Sequence, residues 1–204
     1  QLVMSRLDPN VRFYRNEIES RPSGTTIERI HAEWDGNWEL LERHHGYIQW
    51  LFPVFENAGM NWESTALTHE GAALIRQDPV ASARVVRSYR LMLRFYGLRL
   101  KCARTGALER DPDIYEERLE NLNYSSHNWL RVSRIITSLG ELGFQRYKKP
   151  LVERLTEEVE AGTLAAARGS LERFWVQLLN EDSPAYARKT RETAKDREEG
   201  CLFL

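Results

Sequence analysis

The chain has 204 residues, and its 29 lysines and arginines against 30 aspartates and glutamates leave a net charge of −1, which excludes a global basic field for gathering nucleic acid or anionic lipid. With 42% hydrophobic and 29% charged residues the composition is that of a globular protein and not of a disordered one. Two cysteines, Cys102 and Cys201, form no Cys-x-x-Cys pair, so neither a disulfide framework nor structural zinc is expected, and no apolar run nears the ~20 residues of a membrane span.

Residues 1–24 read as an N-terminal arm. Helical periodicity begins at Thr25-Thr26-Ile27-Glu28, a capping box in which Thr25 is expected to reach the chain at Glu28. Ile27, Ile30 and Trp34 follow on one face, and Asp35-Gly36 stops the turn. Asn37 caps a helix expected to run through Leu41 and Ile48 until Pro53, and Thr68 caps a short one ending near Gln77. Asp78-Pro79 places a cap residue before a proline at the first helical position. The helix it opens is expected to reach about residue 104, apolar over most of its circumference through Val85, Tyr89, Met92, Leu93, Tyr96 and Leu100. Helices of that kind are usually central, so the others should pack around this one.

Asp111-Pro112 repeats the start signal ahead of Tyr115 and Leu119. Ser125 or Ser126 caps the next helix, whose apolar arc is Trp129, Val132, Ile135, Ile136, Leu139 and Leu142, closed by Gly143. Pro150 opens another, ended by Gly162, and Ser170 a last packed one. Beyond Ser183-Pro184 nearly every residue is polar or small. No alternating strand pattern persists, apart from a short hairpin signal around Thr105-Gly106. The expectation is an all-α fold, a single multi-helix globular domain at 25–180 packed around a central helix at about 79–104. A polar helix or tail follows at 181–204.

One polar cluster sits where core would be expected, and a second lies on a stripe well off the apolar arc of its helix. If the helix from Asn37 runs unbroken through Gly46, His45 shares a stripe with Leu41, Ile48 and Phe52, His44 lies at its edge, and Trp50 falls on the far side among Glu39 and Arg43. The structural account makes the histidines neutral rings bonded to backbone carbonyls and covers Trp50 with another segment. In the second cluster, 121–134, His127, Arg131, Arg134 and Ser138 share one stripe, while Asn128 falls inside the apolar arc. Forked arginine donors one turn apart near a helix N-terminus suit an anion or carboxylate; the structural account is a solvated face. Adjacent histidines diverge by about 100° on a helix, so no metal site is expected, and no phosphate loop, dinucleotide fingerprint or nucleophile elbow calls for a cofactor.

Read in order, "HHGYIQWLFP", "SYRLMLRFYGLRL" and "NLNYSSHNWLRVSRIITSLGELG" resemble the conserved domain of the opioid growth factor receptor family over roughly 10–179. The resemblance implies an all-helical intracellular domain. In the animal proteins it further implies binding of the pentapeptide Met-enkephalin, nuclear or perinuclear residence and restraint of cell growth. The recurrent polar positions it points to are His44, His45, Gln49, Trp50, Asn61, Asn123, His127, Asn128 and Arg131. "NWESTALT" departs from the animal pattern in lacking a proline just before Leu67.

The first reading is therefore a peptide-binding helical domain, cytoplasmic or nuclear, with His44, His45, Gln49, Trp50, Asn123, His127, Asn128 and Arg131 around one groove. A second, ranked below it, is an enzyme using the same His/Asn/Arg cluster on a small anionic metabolite. The third is a membrane-tethered scaffold. "CLFL" fits a prenylation signal at Cys201, although a single lipid usually needs a second anchoring signal.

Overall fold

The computed structural model describes residues 8–56 and 63–179. Among them it is helical apart from one two-stranded hairpin and an isolated bridge between Ser20 and Thr25, so the all-α expectation holds. The chain divides into two compact units, Gln1–Phe95 and Tyr96–Leu204. Asn61, Cys201 and the tail at 181–204 lie outside the described residues. Among those described, no helix is long and apolar enough to cross a membrane, and no cluster of His, Cys, Asp and Glu could hold a metal ion.

The N-terminal unit carries α1 (Pro9–Tyr14), α2 (Ile27–Glu33), α3 (Trp38–Arg43), α4 (Ile48–Leu51), α5 (His69–Gln77) and α6 (Pro79–Phe95). Within it α1, α2 and α5 all pack on α6. The buried side of α6 includes Val85, Val86, Tyr89, Leu91, Met92 and Phe95, each such side chain contributing about 1.5–3 kcal/mol through burial. Residues 9–14, assigned by sequence to the arm, form a helix whose Phe13 and Tyr14 are fully buried. Asp8 makes this possible. One carboxylate oxygen accepts from the Asn10 amide at 2.8 Å, and the other accepts from the Thr68 amide and hydroxyl at 3.0 and 2.7 Å. One side chain thus caps α1 and ties it to the start of α5.

Several sequence signals hold in atomic detail. Asn37 accepts from the Leu40 amide at 3.2 Å, Thr68 from that of Gly71 at 2.9 Å, and Asp78 from those of Val80 and Ala81 at 3.0 and 3.2 Å. The capping box at Thr25 does not form. Thr26 is the cap position, and the Glu28 amide donates instead to Asn16, in the left-handed region at φ 65°, at 3.1 Å. Glu28 turns its carboxylate to α6, accepting from Arg84 at 2.6 Å and Arg87 at 2.7 Å. Burial alone would raise its pKa, but these two guanidiniums outweigh that and hold it below the ordinary value.

The long helix stops at Phe95 and not near 104. Gly97 takes φ 76°, and a Cβ there would lie 2.8 Å from the Tyr115 Cα, so the chain can turn only because the residue is glycine. The chain then enters the hairpin signalled around Thr105-Gly106, in which β1 (Leu98–Leu100) pairs antiparallel with β2 (Leu108–Arg110). The apolar residues that extended the helical pattern past Phe95 therefore serve a strand, where Leu98 is buried and Arg99 exposed.

The C-terminal unit continues with α7 (Tyr115–Tyr124), α8 (Ser126–Glu141), α9 (Lys148–Glu160) and a π-helical turn at Leu171–Trp175. Here α8 packs against α7, α9 and the π turn. Arg110 of the hairpin forks onto Glu158 of α9 with bonds of 2.8 and 2.7 Å. Glu158 is fully buried; burial would raise its pKa, but Arg110 and the Thr163 hydroxyl, which donates at 2.7 Å, keep it low. Gly143 at φ 91° and Gly162 at φ 84° end α8 and α9 where the sequence places them. α9 starts two residues before Pro150, which a first helical turn tolerates.

Candidate functional site

The first four predicted positions lie in the N-terminal unit. The helix expected to run unbroken from Asn37 breaks at His44, whose backbone is extended at φ −83°, ψ 128°. Gly46 is the reason the break fits: a Cβ there would come within 2.7 Å of the Pro22 ring. The break overturns the expected stripe. His45 is exposed and not in the apolar face, while Trp50, expected among charges, is 3% exposed. His44 accepts at Nδ1 from the Gly46 amide at 3.3 Å and packs its ring 5.3 Å from Trp34, which in turn packs 5.3 Å from Tyr47. Trp50 donates its indole N–H to the Arg21 carbonyl at 2.9 Å and packs 5.3 Å from Phe13. Gln49 is buried, and its side-chain oxygen has no hydrogen-bond partner among the described residues.

The other four lie in the C-terminal unit. Asn123 accepts from the Ala166 amide at 3.0 Å, fastening α7 to the segment after α9. Asn128 is fully buried and Arg131 is 5% exposed, with the Arg131 guanidinium donating to the Asn128 side-chain oxygen at 3.0 Å. The amide inside the apolar arc thus finds a buried partner, and Arg131 is no solvated face. His127, one turn earlier, is half-buried. Burial lowers the Arg134 pKa to about 10, with Glu141 opposing. Trp129 donates its indole N–H to the Leu122 carbonyl at 2.8 Å, and Trp175 packs behind it, donating to Ser133 at 3.1 Å.

A cavity of about 800 Å³ opens in the N-terminal unit, inside the size range of small-ligand sites. Of the predicted positions among the described residues, only Trp50 lines it. Its other walls come from the stretch that the sequence assigns to an arm, with Arg12 and Glu17 facing it beside Ile18 and Pro22, and from Glu63. Nothing in their spacing marks these residues. Arg12 lies on a short helix whose burial the sequence does not reveal. The lining mixes an aromatic ring, aliphatic surface and both signs of charge. It suits a ligand that is itself part apolar and doubly charged.

A family model described as the opioid growth factor receptor (OGFr) conserved region matches residues 5–194. The chain is 47% identical over 150 residues to the opioid growth factor receptor of Homo sapiens, covering 74% of this chain and 22% of that protein. It is 39% identical over 173 residues to opioid growth factor receptor-like protein 1 of Xenopus tropicalis, covering 84% of this chain and 33% of the relative. The corresponding protein of Mus musculus is 41% identical over 149 residues, 73% of this chain and 32% of the relative. The chain thus spans about a fifth to a third of the length of these curated relatives. No solved structure matches it.

Proposed function

Because the chain belongs to the family defined by the opioid growth factor receptor conserved region, we propose that it is a helical peptide-receiving domain, taking the opioid growth factor that its relatives' name carries. The observation behind this is the family match at 5–194, which takes in every described residue of both units. The cavity supports it, since its volume and mixed lining suit a short zwitterionic peptide with apolar side chains. Restraint of growth and residence in cytoplasm and nucleus belong to the same proposal. No observation favours the enzyme reading or the prenylated scaffold over it.

The test is calorimetric titration of the chain with Met-enkephalin, with a pentapeptide of the same composition in scrambled order as control. Saturable binding of the first, at least tenfold tighter than the second, supports the proposal. Equal affinity, or no heat from either, overturns it.

A further inference from the structure

We propose that the cavity of the N-terminal unit is where the peptide is held, and that Arg12 receives its free carboxylate end; this deepens the peptide-receiving reading above and rests on it. Arg12 is an arginine whose donors are poorly used. Its guanidinium makes one loose ion pair with Glu17, at 3.7 Å, and no hydrogen bond among the described residues. Its Nε is shut off from solvent without a hydrogen-bond partner. A guanidinium has five N–H donors in a planar fork, and a shielded donor left unbonded is destabilising. Arginines that serve this fold are bonded quite differently. Arg110 forks onto Glu158 at 2.8 and 2.7 Å, and Arg84 bonds Glu28 at 2.6 Å and the Tyr14 carbonyl at 2.8 Å. Arg12 lines the cavity with its side chain 38% exposed, so a carboxylate entering there meets the outer Nη donors, which bond nothing among the described residues, while the shielded Nε stays on the Glu17 side.

The remaining lining narrows the ligand class. Trp50, fixed by its bond to the Arg21 carbonyl and by Phe13, is 3% exposed and borders the cavity with a rigid aromatic edge. Ile18 and Pro22 extend the apolar surface. Glu17 and Glu63 supply negative charge in the same cavity, which disfavours a plain anion and favours a molecule carrying an ammonium as well. A short linear peptide with free ends and an aromatic or aliphatic side chain meets all three requirements. Capture of a terminal carboxylate is an established mode of peptide recognition.

The experiment titrates Met-enkephalin and its C-terminal amide into the wild-type chain and into Arg12→Gln and Arg12→Lys, with circular dichroism melts as a folding check. Wild type should prefer the free acid over the amide by about tenfold to a hundredfold, the range of a charge-assisted fork. Arg12→Gln should bind the acid correspondingly more weakly and show no preference. Arg12→Lys, which keeps the charge but loses the fork, should fall between. Wild-type discrimination retained in Arg12→Gln overturns the assignment of the site while leaving peptide reception intact. Equal weakening of both peptides in the variants also overturns it, since a merely structural arginine would act that way. If Arg12→Gln melts below the assay temperature, the lysine variant decides, and an undiminished preference there overturns the fork. No binding of either peptide by wild type overturns the peptide reading and this assignment with it.

Discussion

His31 on α2 holds Nε2 2.9 Å from the Ser88 hydroxyl of α6, while its Nδ1 is shut away from water and unpartnered. A protonated ring would need acceptors for two N–H groups and finds one. Burial, helped by the Arg87 and Arg84 charges and opposed by Glu28, pushes its pKa down to about 3. The unfolded chain takes up a proton below about pH 6.5 while the native state declines it until about pH 3, so this residue removes stability as pH falls between those limits. The loss is at most about 1.4 kcal/mol per pH unit. Urea unfolding at pH 7 and pH 5 should therefore show wild type losing about 1–2 kcal/mol more than His31→Gln, which keeps a bond to Ser88 without titrating. Parallel losses in the two proteins would contradict the assignment. Other residues also owe their roles to distant partners. Thr25 carries a capping signal that Asn16 takes over, and Arg131, on a polar stripe by helical spacing, is buried against Asn128.

Among elements, α6 shows how a local signal and a tertiary contact combine at one residue. Asp78 caps it by accepting from the amides of Val80 and Ala81, and the same carboxylate accepts from Arg15 at 3.1 Å, just beyond α1. Burial would raise its pKa, but the backbone donors and Arg15 outweigh that and lower it. Its contribution is thus complete above the ordinary aspartate pKa and fades as acid protonates it in the native state. Asp78→Ala should cost about 1–2 kcal/mol by urea denaturation at pH 7, with Asp78→Asn recovering most of it because the amide oxygen still caps. An alanine variant as stable as wild type would show that the cap contributes nothing. The α3–α4 break is hidden from the sequence for a related reason. The apolar repeat from Leu41 through Ile48 to Phe52 is consistent with one helix, and only the approach of Pro22 to Gly46 shows why the chain bends there.

At the scale of the molecule, each unit has its own packed helix. In Gln1–Phe95 it is α6, in Tyr96–Leu204 it is α8, and both carry long runs of buried side chains. Native-state hydrogen exchange should find the slowest amides of the first unit in 85–95 and of the second in 132–139, since these open only when the surrounding packing is lost. Faster exchange in α6 than in α5 would show that the centre of the first unit lies elsewhere.

The sequence by itself determined the helical class, the caps at Asn37, Thr68 and Asp78, the glycine stops at Gly143 and Gly162, and the family resemblance. These depend on neighbours within a few positions, or on motifs readable as strings. Tertiary structure alone decided that residues 9–14 belong to the core, that His45 faces water while Trp50 does not, that the long helix stops at Phe95 and not near residue 104, and that Arg12 borders a cavity. Each of these turns on a partner remote in the chain — Thr68 for Asp8, Pro22 for Gly46, Tyr115 for Gly97 — and helical periodicity describes which face a residue lies on without saying what comes to cover it.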